Sequence, residues 1–303
     1  MENLSSHPLY KKHTLDSAMS SLWDFYRNRF LVLFLSSFVM SFIMQYISTT
    51  IDFSSLAYMT DPYEMLAKVR EFIWPMVIIS LMNLLFTTIL QYYIIYSPAD
   101  SSVNIFTACY KSLKYFVPYL IIIILFAFFG SFALVIGLFA LIIGIFFVAL
   151  YLMTIYLFIL PVLMVEGPNI GNAISRSFGL THKGFWTNIG WTAVFVLILI
   201  VISLILSMLI MIPFTGSIFK GILNPEEAIN ALDYIKNPFY LILGSLANAL
   251  YFPLLPIFAA ILYFNGRAKE NEGAITETMP PSGNDDNDKV KIEDLYSKPK
   301  EEN

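Results

Sequence analysis

The chain contains a single cysteine, Cys109, and only three histidines. One cysteine cannot form an intrachain disulfide or supply a cysteine-based zinc site. The histidines, His7, His13 and His182, all lie outside the long apolar segments, and three are too few for a non-haem iron centre with four histidine ligands. The sequence therefore predicts no metal site and no other cofactor.

Charged residues are also scarce, since they make up 13% of the chain, about half of the ~25% that is usual in soluble domains. No charged side chain occurs between Phe116 and Val165. A bilayer core ~30 Å thick needs ~20 apolar residues per spanning helix. This run therefore predicts two spans joined by a turn within Gly130–Gly144. We expect an integral membrane protein with membrane lipids as partners and no nucleic-acid partner.

Catalytic motifs are missing as well. The apolar segments contain no aspartate, which excludes an intramembrane protease with paired aspartates, and the chain lacks H-E-x-x-H, G-x-S-x-G and Walker lysine motifs. No catalytic residue is therefore predicted, and we expect a non-enzymatic protein. An enzyme that acts on membrane lipids through loop residues is one alternative.

The apolar segments that are present predict an all-α fold with six transmembrane helices. They cover about residues 30–48, 72–96, two helices within 116–165, 185–212 and 239–264. Asp61-Pro62-Tyr63-Glu64 is typical of a helix start, and Asn224-Pro225-Glu226-Glu227 repeats this signature. Pro253 and Pro256 predict a kink in the sixth span. The domains expected are a cytoplasmic N-terminus (1–29), a membrane domain (30–264) and a disordered cytoplasmic tail (265–303).

Three basic amphipathic stretches, residues 15–30, 103–115 and 170–184, each precede an odd-numbered span. They predict three interfacial helices. Ala18, Ala108 and Ala173 hold similar places in them, and Ser112 and Ser177 follow two of these alanines by four residues. The pattern favours a threefold helix-span-span repeat, although cytoplasmic loops beside a membrane also become basic and amphipathic without any duplication.

A more specific pattern occupies residues 160–186. It consists of Leu160–Gly167, with a proline in the span and an acidic residue at its end, then Ala173–Phe178 and Lys183–Trp186. This segment resembles the membrane domain attached to some bacterial glycerophosphodiester phosphodiesterases, and related uncharacterised six-span inner-membrane families. The resemblance implies a bacterial inner-membrane protein. It does not transfer enzyme activity, because a ~250-residue phosphodiesterase barrel has no room beside six spans.

Glu166, Arg176, His182 and Lys183 form the best polar cluster in the sequence. One interpretation is a surface for anionic lipid headgroups or a protein partner. The other is that the cations only set the topology by facing lipid phosphates. The function expected is that of a lipid- or envelope-associated membrane protein. A small transporter or permease-like subunit is the first alternative, because the spans also contain polar side chains that could line a pathway or join helices: Gln45, Asn83, Thr87, Thr88, Gln91, Asn188 and Asn248.

Lysine and arginine are distributed unevenly about the spans, and this asymmetry predicts that both termini are cytoplasmic. One side carries Lys11, Lys12, Arg27, Arg29, Lys111, Lys114, Arg176, Lys183, Arg267 and Lys269, and the other carries Lys68, Arg70, Lys220 and Lys236.

We predict that single cysteines at Ser55 and Ala228, introduced into a Cys109→Ser background, react with a membrane-impermeant thiol reagent added outside intact cells. The loops that carry them are expected to face away from the cytoplasm. Labelling of a cysteine at Asn271 instead would reverse the orientation.

Overall fold

The computed structural model describes residues 4–51, 61–139, 141–216, 219 and 236–278, and these residues contain helices and no strand. Six of its helical segments are long and apolar enough to cross a membrane. This is the architecture of a polytopic membrane protein, as predicted. The helices are α1 (Leu15–Asn28), α2 (Phe30–Ser48), α3 (Pro62–Tyr96), α4 (Ile105–Phe139), α5 (Leu141–Glu166), α6 (Ile170–Lys183), α7 (Phe185–Met211), α8 (Pro238–Tyr251) and α9 (Leu254–Thr278).

Two helix starts follow the local signals in the sequence. The Asp61 side chain accepts a hydrogen bond from the Tyr63 backbone N–H at 2.9 Å, with Pro62 at the first helical position of α3. Asn169 caps α6 in the same way, through the backbone N–H of Asn172. Such caps satisfy backbone donors that have no partner within the helix. The similar signature at 224–227 lies outside the described residues.

The three amphipathic stretches differ from one another in the structure. The first and third are the separate helices α1 and α6. The second is not a separate helix, because residues 105–115 are the first turns of α4, which continues into the third span. The reason is local: Arg29 and Gly184 leave helical geometry and separate α1 and α6 from the spans that follow, whereas α4 runs on without a break through Pro118.

The helix of the third span ends at Phe139 and the helix of the fourth begins at Leu141, within the predicted interval Gly130–Gly144. The sixth span is interrupted at Pro253, one of the two prolines predicted to kink it, because α8 ends at Tyr251 and α9 begins at Leu254. The other, Pro256, lies within α9. Pro253 between them has no backbone N–H to donate.

The predicted start of the tail at residue 265 is corrected, because α9 continues from that point to Thr278. Residues 265–272 carry side chains that pair with other helices, as described below, and these contacts hold a polar segment in helical form. The remainder of the predicted tail, residues 279–303, lies outside the described residues.

The core lies where the three even-numbered spans, α3, α5 and α9, pack against one another. Their stretches 86–95, 157–164 and 256–265 are buried without interruption. A helix that is apolar on every side is normally buried on every side, and the stretch 157–164 follows that rule. The other two stretches also bury polar side chains: Thr87, Thr88, Gln91 and Asn265. The odd-numbered spans α2, α4 and α7 surround them and keep exposed apolar faces, as expected for helices that contact lipid.

The amphipathic helices pack on the even-numbered spans in a ring. The first turns of α4 pack on α3, α6 packs on α5, and α1 packs on α9, at the other end of the chain. The equivalent alanines Ala18, Ala108 and Ala173 are all buried, at 0%, 0% and 1% exposure. Their small side chains allow close helix contact. The threefold pattern in the sequence thus corresponds to a repeated packing arrangement.

Candidate functional site

Charged side chains from three helices meet at one end of the bundle. Glu166 is the last residue of α5, Arg176 and Lys183 belong to α6, and Arg267 and Glu270 belong to α9. We call these five residues the charge cluster, and the end of the bundle that carries them the basic end.

A turn at Gly167 brings α6 back onto α5. Gly167 has φ of 113°, a conformation that glycine adopts without the steric cost of a Cβ atom. The turn places Arg176 beside Glu166, the residue that ends α5.

Arg176 is the centre of the charge cluster. Its Nε donates to Glu166 Oε1 and Oε2 at 3.1 and 3.0 Å. Its Nη1 donates to Glu270 Oε1 at 2.8 Å, and its Nη2 donates to Glu270 Oε2. The hydrogen bonds to Glu270, followed by those to Glu166, raise the pKa of the Arg176 guanidinium above its ordinary value. Its three nitrogens are therefore committed to two carboxylates of the same chain.

Lys183, Arg267 and the neighbouring Tyr263 lie against the same two carboxylates. Lys183 Nζ donates to Glu270 Oε1 at 2.7 Å, and the Tyr263 hydroxyl donates to Glu166 Oε1 at 3.1 Å. Arg267 Nη1 lies 3.8 Å from Glu166 Oε1 and 3.7 Å from Glu270 Oε2. Three cations against two carboxylates leave one net positive charge. Lys183 is 65% exposed and Arg267 37%, whereas Arg176 is 22% exposed, so the accessible charge belongs to the first two.

The structure brings together Glu166, Arg176 and Lys183 from the predicted cluster, but it places His182 elsewhere. The Tyr151 hydroxyl donates to His182 Nε2 at 3.4 Å, and His182 Nδ1 donates to the Phe178 carbonyl at 2.8 Å. These partners are not members of the charge cluster. His182 projects from a different side of α6 because it follows Arg176 by six residues, which is not a whole number of helical turns.

The sequence analysis did not assign three residues of α9 to this site: Tyr263, Arg267 and Glu270. Tyr263 lies in the last turn of the predicted span, and Arg267 and Glu270 lie beyond its predicted end. The spacing of Arg267 and Glu270, three residues apart as on one helix face, is the signal that could have revealed a continuing helix.

The N-terminal segment also docks at this end of the bundle, although it was predicted only as a cytoplasmic leader. His7 is 2% exposed, its Nε2 donates to the Ile94 carbonyl at 3.1 Å, and its Nδ1 accepts from the Leu9 backbone N–H at 3.1 Å. Its ring stacks on Phe264 with a centroid distance of 4.6 Å. Since both ring nitrogens are used by the neutral form, protonation would break the bond from Leu9. Burial lowers the pKa of His7 from 6.5 to about 4.

The polar residues within the spans do not all meet in one place. Thr87 and Gln91 line a cavity of about 10 Å³ between the even-numbered spans, room for roughly one water molecule. Asn188 instead donates to the carbonyls of Leu180 and Thr181, joining α7 to α6. Asn248 accepts from the Tyr251 hydroxyl at 2.7 Å.

Among the described residues, no group of three or more His, Cys, Asp and Glu side chains is placed to hold a metal ion. Comparison with models of protein families, with curated proteins and with solved structures finds no match to this chain. The resemblance of residues 160–186 to the membrane domain of certain phosphodiesterases stays an expectation from the sequence.

We predict that replacing glutamate by glutamine lowers the free energy of unfolding more at Glu270, in the charge cluster, than at Glu71. Glu270→Gln removes the carboxylate that Arg176 and Lys183 share, and should lower the free energy of unfolding by roughly 2 kcal/mol, between the ~1 kcal/mol of an exposed pair and the ~3–5 kcal/mol of a buried one. The control Glu71→Gln breaks the pair with Lys68, in which the glutamate is 65% exposed, and should cost less than ~1 kcal/mol. Thermal unfolding in detergent measures both, and equal losses would contradict the structural role of the cluster.

Docking of His7 predicts a dependence of stability on pH. Its pKa is lowered on folding, from 6.5 to about 4, so its contribution is complete above pH 6.5 and is lost as the pH falls towards 4. The shift corresponds to about 3 kcal/mol at most. Unfolding midpoints of the wild type should fall between pH 6.5 and 4 more steeply than those of His7→Gln. The same slope for both proteins would refute this assignment.

Proposed function

We propose that the chain is a non-enzymatic protein of the bacterial inner membrane, with both termini in the cytoplasm, that associates with anionic lipids at its basic end. The orientation rests on the distribution of lysine and arginine. In this orientation the basic end faces the leaflet whose anionic lipids attract cations, by ~1 kcal/mol for each lysine or arginine near the surface.

The observation that carries the proposal is a pair of exposed lysines that form no salt bridge with a described residue. Hydrogen bonds from Ser102 and, to a smaller extent, the charge of Lys111 lower the pKa of Asp100, so Lys111 interacts with that carboxylate at longer range. Lys111 and Lys114, on the first turns of α4, are exposed, and neither has a carboxylate oxygen within 4.0 Å among the described residues. The Tyr115 hydroxyl donates to the Met164 carbonyl at the end of α5, which places both lysines near the basic end. Lys114 Nζ also lies 4.8 Å from the centre of the Tyr115 ring. Lysine beside tyrosine is typical of segments at a membrane interface.

The cations of the predicted lipid or partner surface differ in how accessible their charge is. Arg176 is bound by Glu166 and Glu270, so we assign it to holding α5, α6 and α9 together. Lys183 and Arg267 are the accessible cations of the cluster and are the ones we assign to lipid or partner contact.

The transporter alternative receives less support. A pathway for a polar substrate would need its polar side chains to line one continuous space. Thr87 and Gln91 line a space of about 10 Å³, which holds no more than one water molecule. Asn188 and Asn248 form hydrogen bonds elsewhere in the bundle, as polar residues that join helices do.

The test compares two double variants with the wild type. Lys111→Gln with Lys114→Gln removes two cations from the basic end, and should lower the ratio of anionic to zwitterionic lipid that copurifies in mild detergent by at least about twofold, since each cation gains ~1 kcal/mol beside anionic lipid. Lys68→Gln with Arg70→Gln removes two cations from the start of α3, at the opposite end, and should leave the ratio unchanged. Equal ratios in all three proteins would overturn the proposal.

A further inference from the structure

A groove opens where α1 meets the fifth and sixth spans. It has a volume of about 280 Å³, close to the lower end of the ~300–1,000 Å³ range of ligand pockets. Trp23, Tyr26 and Arg27 of α1 line one side, and Ile202, Leu206 and Leu250 of the spans line the other. Because these spans are apolar helices that face lipid, the groove is accessible from the bilayer.

Two polar groups in this groove have no partner in the described structure. The Tyr26 side chain is 4% exposed, and its hydroxyl is buried without a hydrogen bond. A buried hydroxyl without a partner costs ~1–3 kcal/mol. Arg27 is exposed and forms no ion pair with another described residue. An unpaired cation, Arg27, therefore belongs to the residues that line the groove, three residues before the first span begins at Phe30.

A second groove of about 280 Å³ lies between α6 and the third and fourth spans. In each groove one amphipathic helix lies over two spans: α6 over the third and fourth, and α1 over the fifth and sixth. The groove therefore recurs with the repeated packing arrangement. Ile174 and Phe178 of α6 line the second groove together with Phe126 and Ile159, and every residue that lines it is apolar. Of the two grooves, only the one beside α1 has a cationic residue, Arg27, among those that line it.

We propose that the groove beside α1 binds one anionic phospholipid, with an acyl chain against Leu206 and Leu250 and the phosphate beside Arg27. The occupant is a lipid because the walls are apolar, the opening faces the bilayer, and the exposed, unpaired Arg27 matches an anionic headgroup that sits at the start of a span. This inference rests on the proposed lipid association and gives it a specific site.

The test uses the full chain in vesicles of phosphatidylethanolamine and phosphatidylglycerol, with a trace of phosphatidylglycerol that carries a photoactivatable group on its acyl chain. After illumination, mass spectrometry should place the crosslinks mainly on Ile202, Leu206 and Leu250. Leu206→Trp fills the groove and should reduce the crosslinks at Ile202 and Leu250 at least fivefold. The control Leu209→Trp adds the same bulk at a residue of α7 that is 56% exposed and does not line the groove, and should leave them unchanged.

Headgroup selectivity is tested in the same vesicles. Arg27→Gln should reduce crosslinking by the phosphatidylglycerol probe, and a phosphatidylethanolamine probe should crosslink several-fold less than phosphatidylglycerol does. Crosslinks spread evenly over the lipid-facing residues and unaffected by Leu206→Trp would show ordinary surrounding lipid and overturn the inference. That outcome would leave the role of Lys111 and Lys114 standing. An unchanged copurification ratio in their double variant would overturn the general proposal, whatever the crosslinks show.

Discussion

The contact among α3, α5 and α9 determines where the other elements lie. A membrane interior has no water to satisfy a polar backbone group, so the free carbonyls at the ends of these helices need partners from the protein. His7 supplies a partner for the Ile94 carbonyl. Tyr96 and Tyr115 both donate to the Met164 carbonyl, at 2.6 and 3.2 Å. The segments that surround the core therefore do more than cover apolar surface, because they also complete the hydrogen bonding of the helices that form it.

The sequence predicts well what depends on neighbouring residues. The apolar runs give the six spans, Asp61 and Asn169 mark helix starts, and Pro253 marks the kink, because each acts within one or two turns of its own position. The sequence predicts poorly what depends on distant partners. Residues 265–272 have the composition of a disordered segment, and their helix is stabilised by pairing between Glu270 and Arg176, which are 94 residues apart. Docking of His7 depends in the same way on Ile94, 87 residues away.

In the candidate site too, the sequence predicts what neighbouring residues determine and misses what distant partners determine. The sequence places Glu166, Arg176 and Lys183 near one another because α6 follows α5 directly, but it cannot reveal that Glu270 returns from the far end of the chain to bind two of them. It also groups His182 with them, since proximity in sequence does not show which side of a helix a residue faces. Because Arg176 pairs with Glu270, it connects helices and is not an available cation. Other exposed cations, such as Arg27, Lys111 and Lys114, form no salt bridge with a described residue and lie on other amphipathic segments.

The packing of α1 on α9 has a consequence for the order of events during synthesis. The ring of amphipathic helices closes through elements at opposite ends of the chain, because His7 stacks on Phe264 and the His13 backbone donates to Asn265. α1 therefore lacks its contacts with α9 until the sixth span has been made. Until then the apolar face of α1 must rest on lipid or on the insertion machinery. A product truncated before α9 would leave this face of α1 without the helix on which it packs in the folded protein.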